Sequence, residues 1–282
     1  NRYDGAKFTI FRYDEDSPTS LMSNYVRQTF EDSRDRFFIG TLNGVQFYDK
    51  KRGTFHTIPI RFESGESLNA QISSIIERNN GEILIGSAGH GIFRLNAHTD
   101  SLVFIQDTSL SNNFFINHLY EDKLGQLWIT TASDITMVTP AGVSKQYLTE
   151  SVPEGLSCIC EDALGNIYAG SLHEGMFVLD KKQDKFISIP HSKDLVIKSL
   201  YVANQEEIYI GTDGGGMKVY NILQKEISDN RMNVTALDFS KAKVHSILKD
   251  NQGNTWIGCF QKGVVIIPAI TNGFHYIGHH SI

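Results

Sequence analysis

The chain has 282 residues with 26 Lys+Arg against 32 Asp+Glu, a formal charge of −6, which leaves no polybasic footprint for nucleic acid or an anionic membrane surface. Hydrophobic residues make up 40% and charged residues 21%, the composition of a soluble globular protein, and no run approaches the ~18 apolar residues of a membrane span. Three cysteines, Cys158, Cys160 and Cys259, are too few and too oddly spaced for a disulfide framework; they read as small buried hydrophobes and leave the redox compartment open.

The N-terminal Asn1-Arg2-Tyr3-Asp4-Gly5 carries no basic and apolar targeting segment. From residue 24 onward one unit recurs: an apolar strand, an acidic turn, a second apolar strand closed by Gly, a third strand opened by Gly-apolar, and a fourth marked by an aromatic such as Phe55, Phe186 or Phe274. The Gly that closes the second strand stands at Gly40, Gly86, Gly170, Gly211 and Gly258, with Thr130 as its substitute, so the period varies from 40 to 47 residues. Five residues before each anchor lies the hairpin turn position, Asp35, Gly81, Gly125, Gly165, Glu206 and Gly253. A fixed offset inside a variable period makes the first hairpin a rigid unit and exports length variation to loops.

Four short β-branched and aromatic strands per unit exclude helical repeats and match the period of a propeller blade. Val26, Ile72, Ile116, Leu156, Ile197 and Val244 align in the first strand, and both faces of that strand are apolar, as in an innermost strand sandwiched between neighbouring sheets. The blades are assigned to 24–69, 70–114, 115–155, 156–195, 196–242 and 243–282 of one domain, 1–282. Arg2-Tyr3-Asp4 aligns with Phe47-Tyr48-Asp49, and Phe8 with the fourth-strand aromatic, so residues 1–23 read as the outer half of a seventh blade whose inner strands lie outside this segment. The expectation is an all-β, seven-bladed β-propeller.

The consensus apolar-x-Ser-Ile-x-Glu-Asp-x-x-Gly-x-Leu-Trp-Ile-Gly-Thr, followed by Gly-apolar and Tyr-Asp, resembles the two-component regulator propeller repeat; Ile116–Ile129 and Val244–Gly258 are its clearest copies. The start, Asn1-Arg2-Tyr3-Asp4-Gly5 with Ser17-Pro18-Thr19-Ser20-Leu21-Met22-Ser23-Asn24, is similar to the first blade of the N-terminal propeller in hybrid two-component sensors of Bacteroides-type bacteria. That resemblance implies a periplasmic segment of an inner-membrane protein that dimerises through its parent. It also implies an oligosaccharide or a neighbouring sensor domain as partner, and histidine kinase, receiver and DNA-binding parts elsewhere in the parent. Phosphorelay and transcription regulation would belong to that parent, and this segment is expected to be no enzyme and to need no cofactor. Two departures are local: Thr130-Thr131 replaces Gly-Thr, and the fifth repeat has Val202-Ala203-Asn204 where Glu-Asp stands elsewhere.

The Glu-Asp turns (Glu31-Asp32, Glu121-Asp122, Glu161-Asp162) read as backbone caps needed once per blade, not as acid pairs or calcium loops. Asp213-Gly214-Gly215-Gly216 leads into a strand and reads as a tight loop, without the helix a phosphate site needs. His279-His280 is a terminal pair, His118 and His245 read as core histidines on inner strands, and no metal spacing is present. Binding is expected at the loops joining second and third strands around the central channel, through Asn43, His90, Ser133-Asp134, His173-Glu174, Asp213 and Gln261, whose polar groups suit sugar hydroxyls. These loops read as lacking the aromatic platform that sugars favour. The competing readings are a propeller glycosidase or lyase using Asp134, Glu174 and Asp213 as acid and base, and a protein-interaction scaffold.

Overall fold

The structure, a computed structural model, describes residues 1–5, 7–61, 68–105, 114–147, 155–229 and 239–269, and the backbone of 275–277. Phe274 and the His279-His280 pair lie outside these residues. Apart from one 3-10 turn, Phe239–Lys241, every regular element described is a strand. The chain divides into two compact units, residues 1–129 with 136–145, and residues 130–135 with 146–282.

A short hairpin, β1 (Arg2–Tyr3) with β2 (Phe8–Thr9), precedes six sheets. The first sheet holds β3 (Val26–Glu31), β4 (Phe37–Thr41), β5 (Val45–Asp49) and β6 (Thr54–Ile58) in sequence order. The second adds an outermost strand, β7 (Ile60–Arg61), parallel to the last of β8 (Gln71–Glu77), β9 (Ile83–Ala88), β10 (Gly91–Asn96) and β11 (Ser101–Phe104). The third is β12 (His118–Glu121), β13 (Leu127–Thr130), β14 (Ile135–Val138) and β15 (Ser144–Tyr147). The fourth is β16 (Leu156–Glu161), β17 (Ile167–Ser171), β18 (Met176–Asp180) and β19 (Lys185–Ser188). The fifth is β20 (Ile197–Val202), β21 (Glu207–Thr212), β22 (Met217–Asn221) and β23 (Glu226–Asp229), and the sixth β24 (Val244–Lys249), β25 (Thr255–Cys259), β26 (Gly263–Ile267) and β27 (His275–Ile277). Among the described residues six blades are therefore present, and a complete seventh is not. The β1–β2 hairpin does reproduce the outer pairing of a blade, with Tyr3 opposite Phe8 as Tyr48 is opposite Phe55, both ring pairs 4.9 Å apart.

Within each unit the blades meet through first strands. Ile72, Ile116, Leu156, Ile197 and Val244 are completely buried, and the anchor glycines show why. A Cβ on Gly40 would stand 2.6 Å from Cγ2 of Ile72, one on Gly86 2.7 Å from Cγ2 of Ile116, and one on Gly170 2.6 Å from Cγ2 of Ile197. The branch methyl of each first strand thus occupies the place of a side chain on the blade before it. At the corresponding repeat positions of the next pair stand Thr130, with a branched Cβ where the other anchors have none, and Leu156, with an unbranched one; both are completely buried. Val26 departs from the expected double-sided burial. It is 43% exposed, because no described strand lies on that face of the first blade.

The hairpin joining first and second strands is built around one carboxylate. In Asp122, Oδ1 accepts the backbone N–H of Leu124 at 2.9 Å and of Gln126 at 2.8 Å, and Oδ2 accepts Gln126 Nε2 and Trp128 Nε1, each at 2.8 Å. Asp162 repeats this with Asn166 and Tyr168, and Asp250 with Asn254 and Trp256. Asp32 binds its own turn and Arg36, whose guanidinium lies 5.3 Å from the Phe38 ring in place of the third donor. The preceding Glu reaches sideways instead: Glu77 accepts Ser33 N and Oγ, both at 2.7 Å, and Glu121 accepts Arg78 Nε at 2.9 Å together with Asn79 N. Neither acid is left over for hydrolysis.

Two outcomes follow. Gly86→Thr destabilises the chain by about 1–3 kcal/mol in urea unfolding through the clash with Ile116, and adding Ile116→Leu restores most of that loss. Asp122→Asn turns an amide N–H₂ toward two donors and costs about 2–3 kcal/mol at unchanged m-value, whereas Leu124→Ala on the exposed turn leaves the midpoint in place.

Candidate functional site

The loops between second and third strands share one local device. Buried hydroxyls of Thr41, Ser87 and Thr212 donate to the carbonyls of Gly44, Gly91 and Gly216 at 3.0, 2.9 and 2.7 Å. Those of Thr41, Thr131, Ser171 and Thr212 accept loop N–H groups of Asn43, Asp134, His173 and Gly215 at 3.0–3.1 Å. Ser and Thr close such turns with their own side chain, so the backbone is held while the loop tip projects. Asp213-Gly214-Gly215-Gly216 is one of these tight loops, with Gly214 and Gly216 at positive φ of 106° and 71°.

The structure distributes the predicted site residues unevenly. In the first unit, Asn43 is exposed and donates to Met22 O at 3.2 Å, while His90 is half-buried with its Nδ1 unbonded. The exposed rings of Phe114 and Phe115 flank the loop carrying His90, against Gly91 and Gly89. In the second unit, Asp134 is turned inward, 5% exposed, with Thr131 Oγ1 donating to its Oδ2 at 2.7 Å; it staples its own loop and does not face solvent as expected. His173 lies over Gly155 and is exposed, Glu174 is half-buried, and Gln261 is exposed in the left-handed region at φ 57°.

Asp213 is the predicted residue around which other chemistry gathers. Lys243 Nζ lies 3.0 Å and His245 Nε2 3.7 Å from its Oδ1, and Lys198 Nζ 4.0 Å from its Oδ2. The Lys243 ammonium 3.0 Å from Oδ1 holds the Asp213 carboxyl below the ordinary carboxylate range, so it is ionised at neutral pH and is no general acid. The His245 ring is half-buried, not a core histidine, and stacks on Phe260 at 5.1 Å and 20°. Burial lowers its pKa, against the opposing pull of Asp213. Phe260, beside Gln261, is 49% exposed and supplies an aromatic surface that the loops were expected to lack.

Lys198 was passed over in the sequence and His245 was read as a core histidine because both occupy bulges. The register of β20 on β21 shifts between Ile197 and Ser199, and that of β24 on β25 between Val244 and Ser246, leaving Lys198 and His245 as the extra residues. A bulge leaves one residue unpaired and re-aims its side chain. The signal was present as two polar residues in succession after each first-strand anchor, where strict alternation allows one.

The three thiols fit the reading from composition. All are free and buried, and burial pushes Cys158 and Cys259 up to about 11 and Cys160 well above its ordinary value. Among the described residues no group of three His, Cys, Asp or Glu side chains is placed to hold a metal, and no helix is long and apolar enough to cross a membrane.

Among the described residues, six sheets each built on an antiparallel four-stranded meander, five of them with a stapled loop between second and third strands, make a β-propeller. Its segments 109–133 and 238–261 match the two component regulator propeller model. It is similar in structure to the extracellular domain of the hybrid two component system BT4673 from B. thetaiotaomicron, with TM-score 0.71 and 19% identity over 90% of this chain and 35% of that one. The extracellular domain of BT3049 from the same organism matches with TM-score 0.51 and 18% identity over 96% of this chain and 42% of that one. Virginiamycin B lyase from Staphylococcus aureus matches with TM-score 0.67 and 12% identity over 90% of this chain and 84% of that one. At these identities the likeness is one of fold, and this chain spans about a third of the first relative's length. No curated protein sequence matches it.

His118 yields a pH test. Its Nδ1 is buried, and burial lowers its pKa from 6.5 to about 4, so the ring is neutral at pH 7. Between those values the unfolded state binds the extra proton; the stabilising contribution is therefore full above pH 6.5 and is lost as pH falls through about 4. Melting temperatures of the chain fall over that window, and His118→Gln flattens this part of the profile in calorimetry.

Proposed function

We propose that this chain is the non-catalytic ligand-recognition propeller of an extracytoplasmic sensor belonging to a hybrid two-component protein, responding to glycan-derived oligosaccharides. The carrying observation is the pairing of exposed aromatic rings with polar loop groups: Phe114 and Phe115 beside His90 in one unit, Phe260 beside His245 and Asp213 in the other. Flat apolar rings next to donors and acceptors match the two faces of a sugar. The likeness in fold to two extracellular sensor domains supports a periplasmic position, with kinase, receiver and DNA-binding functions in the parent. The lowered Asp213 pKa weighs against the glycosidase or lyase reading, which needs one carboxyl raised. A neighbouring sensor domain and a second copy of the parent are the macromolecular partners this reading carries.

The reading includes a seventh blade. Three features support it. Val26 is 43% exposed where its counterparts are buried. Glu31 pairs with Lys50 of its own blade, whereas Glu77 and Glu121 hold the turn of the blade before them. The nearest atoms to a Cβ on Gly258 all belong to Ser246 of the same blade, where Gly40, Gly86 and Gly170 meet the next first strand. The β1–β2 hairpin is then the outer half of that blade, as its Tyr3–Phe8 pairing suits.

Isothermal titration of the full chain against neutral and acidic oligosaccharides, with product analysis on the same samples, tests the function. Saturable binding with the sugar recovered intact is expected. Cleavage that disappears in Glu174→Gln or Asp213→Asn would reverse the reading in favour of an enzyme, and no binding to any sugar would leave a scaffold.

A further inference from the structure

We propose that Lys198, Lys243, His245 and Phe260, gathered around Asp213, form a subsite for an anionic sugar, one whose ring carries a carboxylate or a sulfate. The inference rests on the sensor reading and names its ligand class. All five residues belong to one compact unit and come from the same end of two adjacent blades. Asp213 and Lys243 are joined by a backbone bridge, Asp213 N donates to Val196 O at 2.9 Å, and Phe260 N donates to Lys243 O at 2.8 Å. The side chains are thus set on fixed backbone, with the two bulges aiming Lys198 and His245 at the same carboxylate.

The charge balance points to an anion. Two ammonium groups face one carboxylate, which leaves a surplus positive charge in a chain of net charge −6. Lys243 makes the close contact at 3.0 Å; Lys198 stops at 4.0 Å, outside hydrogen-bond range, so its three N–H donors remain for another acceptor. His245 Nε2 is buried without a hydrogen bond, 3.7 Å from Asp213. The side chains are accessible, with Lys198 30% and Lys243 52% exposed. A self-sufficient ion pair would need one lysine, not two and an imidazole.

The remaining two features select a sugar over a bare ion. Phe260 rests one face on His245 and is 49% exposed, a flat apolar surface for the C–H face of a pyranose. Asp213, ionised and set between the lysines, accepts ring hydroxyls, which sulfate or phosphate alone would not offer. A ligand with an anionic group, neighbouring hydroxyls and an apolar face satisfies all five residues at once.

The test is titration calorimetry of the full chain at constant ionic strength with three probes: trigalacturonate, neocarrabiose 4-sulfate and cellotriose. At least one anionic probe is expected to bind and cellotriose to bind weakly or not at all; which anion wins separates carboxylate from sulfate. Lys198→Gln and Phe260→Ala should each weaken that binding about tenfold or more with the melting temperature unchanged. A second arm needs no sugar: Asp213→Asn releases both lysines, so its melting temperature should rise on replacing chloride by sulfate, where the unsubstituted chain responds little. Cellotriose binding as tightly as the acidic probes, or acidic binding untouched by Lys198→Gln, overturns the subsite and leaves the sensor reading standing. Failure of all three probes together with no sulfate response in Asp213→Asn overturns the subsite, and the sensor reading is then judged by the wider oligosaccharide panel.

Discussion

The missing Cβ of the anchor glycine is the constraint on which the blades depend. A β-branched first strand can lie against the preceding second strand only where that strand has no side chain, and the 2.6–2.7 Å distances at Gly40, Gly86 and Gly170 leave no room for one. Innermost strands of neighbouring blades share no backbone ladder, so side chains make the connection. Gln28 exchanges two hydrogen bonds with the backbone of Ile75, Ser74 accepts Leu119 N at 3.0 Å, and Ser157 donates to Ile197 O at 2.7 Å. The close approach permits these short polar bridges, and the bridges satisfy backbone groups that burial would otherwise strand.

The same economy governs the opposite end of the first strand. Each turn aspartate serves its own hairpin, Glu77 and Glu121 serve the neighbouring blade, and Glu31 pairs with Lys50 of its own. Acidic residues concentrated at one end are therefore consumed by structure, while the loop end keeps polar tips. The separation of a structural end from a chemical end needs no difference in fold between the two. It follows from whether the short polar side chain at the turn points into its own backbone or, as at a bulge, out of it.

How much of this could be read from the chain depends on whether a residue's role repeats. The anchor glycines and the turn positions at constant offset recur in most units and the Glu-Asp pair in three of six, so a structural role was legible for them, whereas the sideways reach of Glu121 and the methyl seated against Gly40 were not. Pairing of Tyr3 with Phe8 was legible for the same reason. Roles that occur once were not: Asp134 looks like a loop carboxylate, yet a hydroxyl three residues earlier turns it inward. Lys198 and His245 sit at a bulge that also follows Val26, Ile72 and Leu156, so their position repeats while the ammonium and imidazole chemistry placed there does not. Phe260 stands one residue from the predicted Gln261, and only the positive φ at Gln261 shows that the chain reverses there and leaves the ring outside. The additional strand β7 has no repeat counterpart among the described residues and was equally invisible.

The exchange at Thr130 and Leu156 carries a consequence for assembly. Arrays of like repeats are prone to join out of order, because each interface resembles the rest. Here an isoleucine-bearing first strand brought against Thr130 would meet a methyl where it needs a gap, and Leu156 brought against a glycine would leave a gap where a methyl belongs. Both mismatches are unfavourable, one by overpacking and one by an unfilled space. Thr130 and Leu156 thus suit one another better than either suits the residues at the same positions elsewhere, which disfavours a mispaired blade interface.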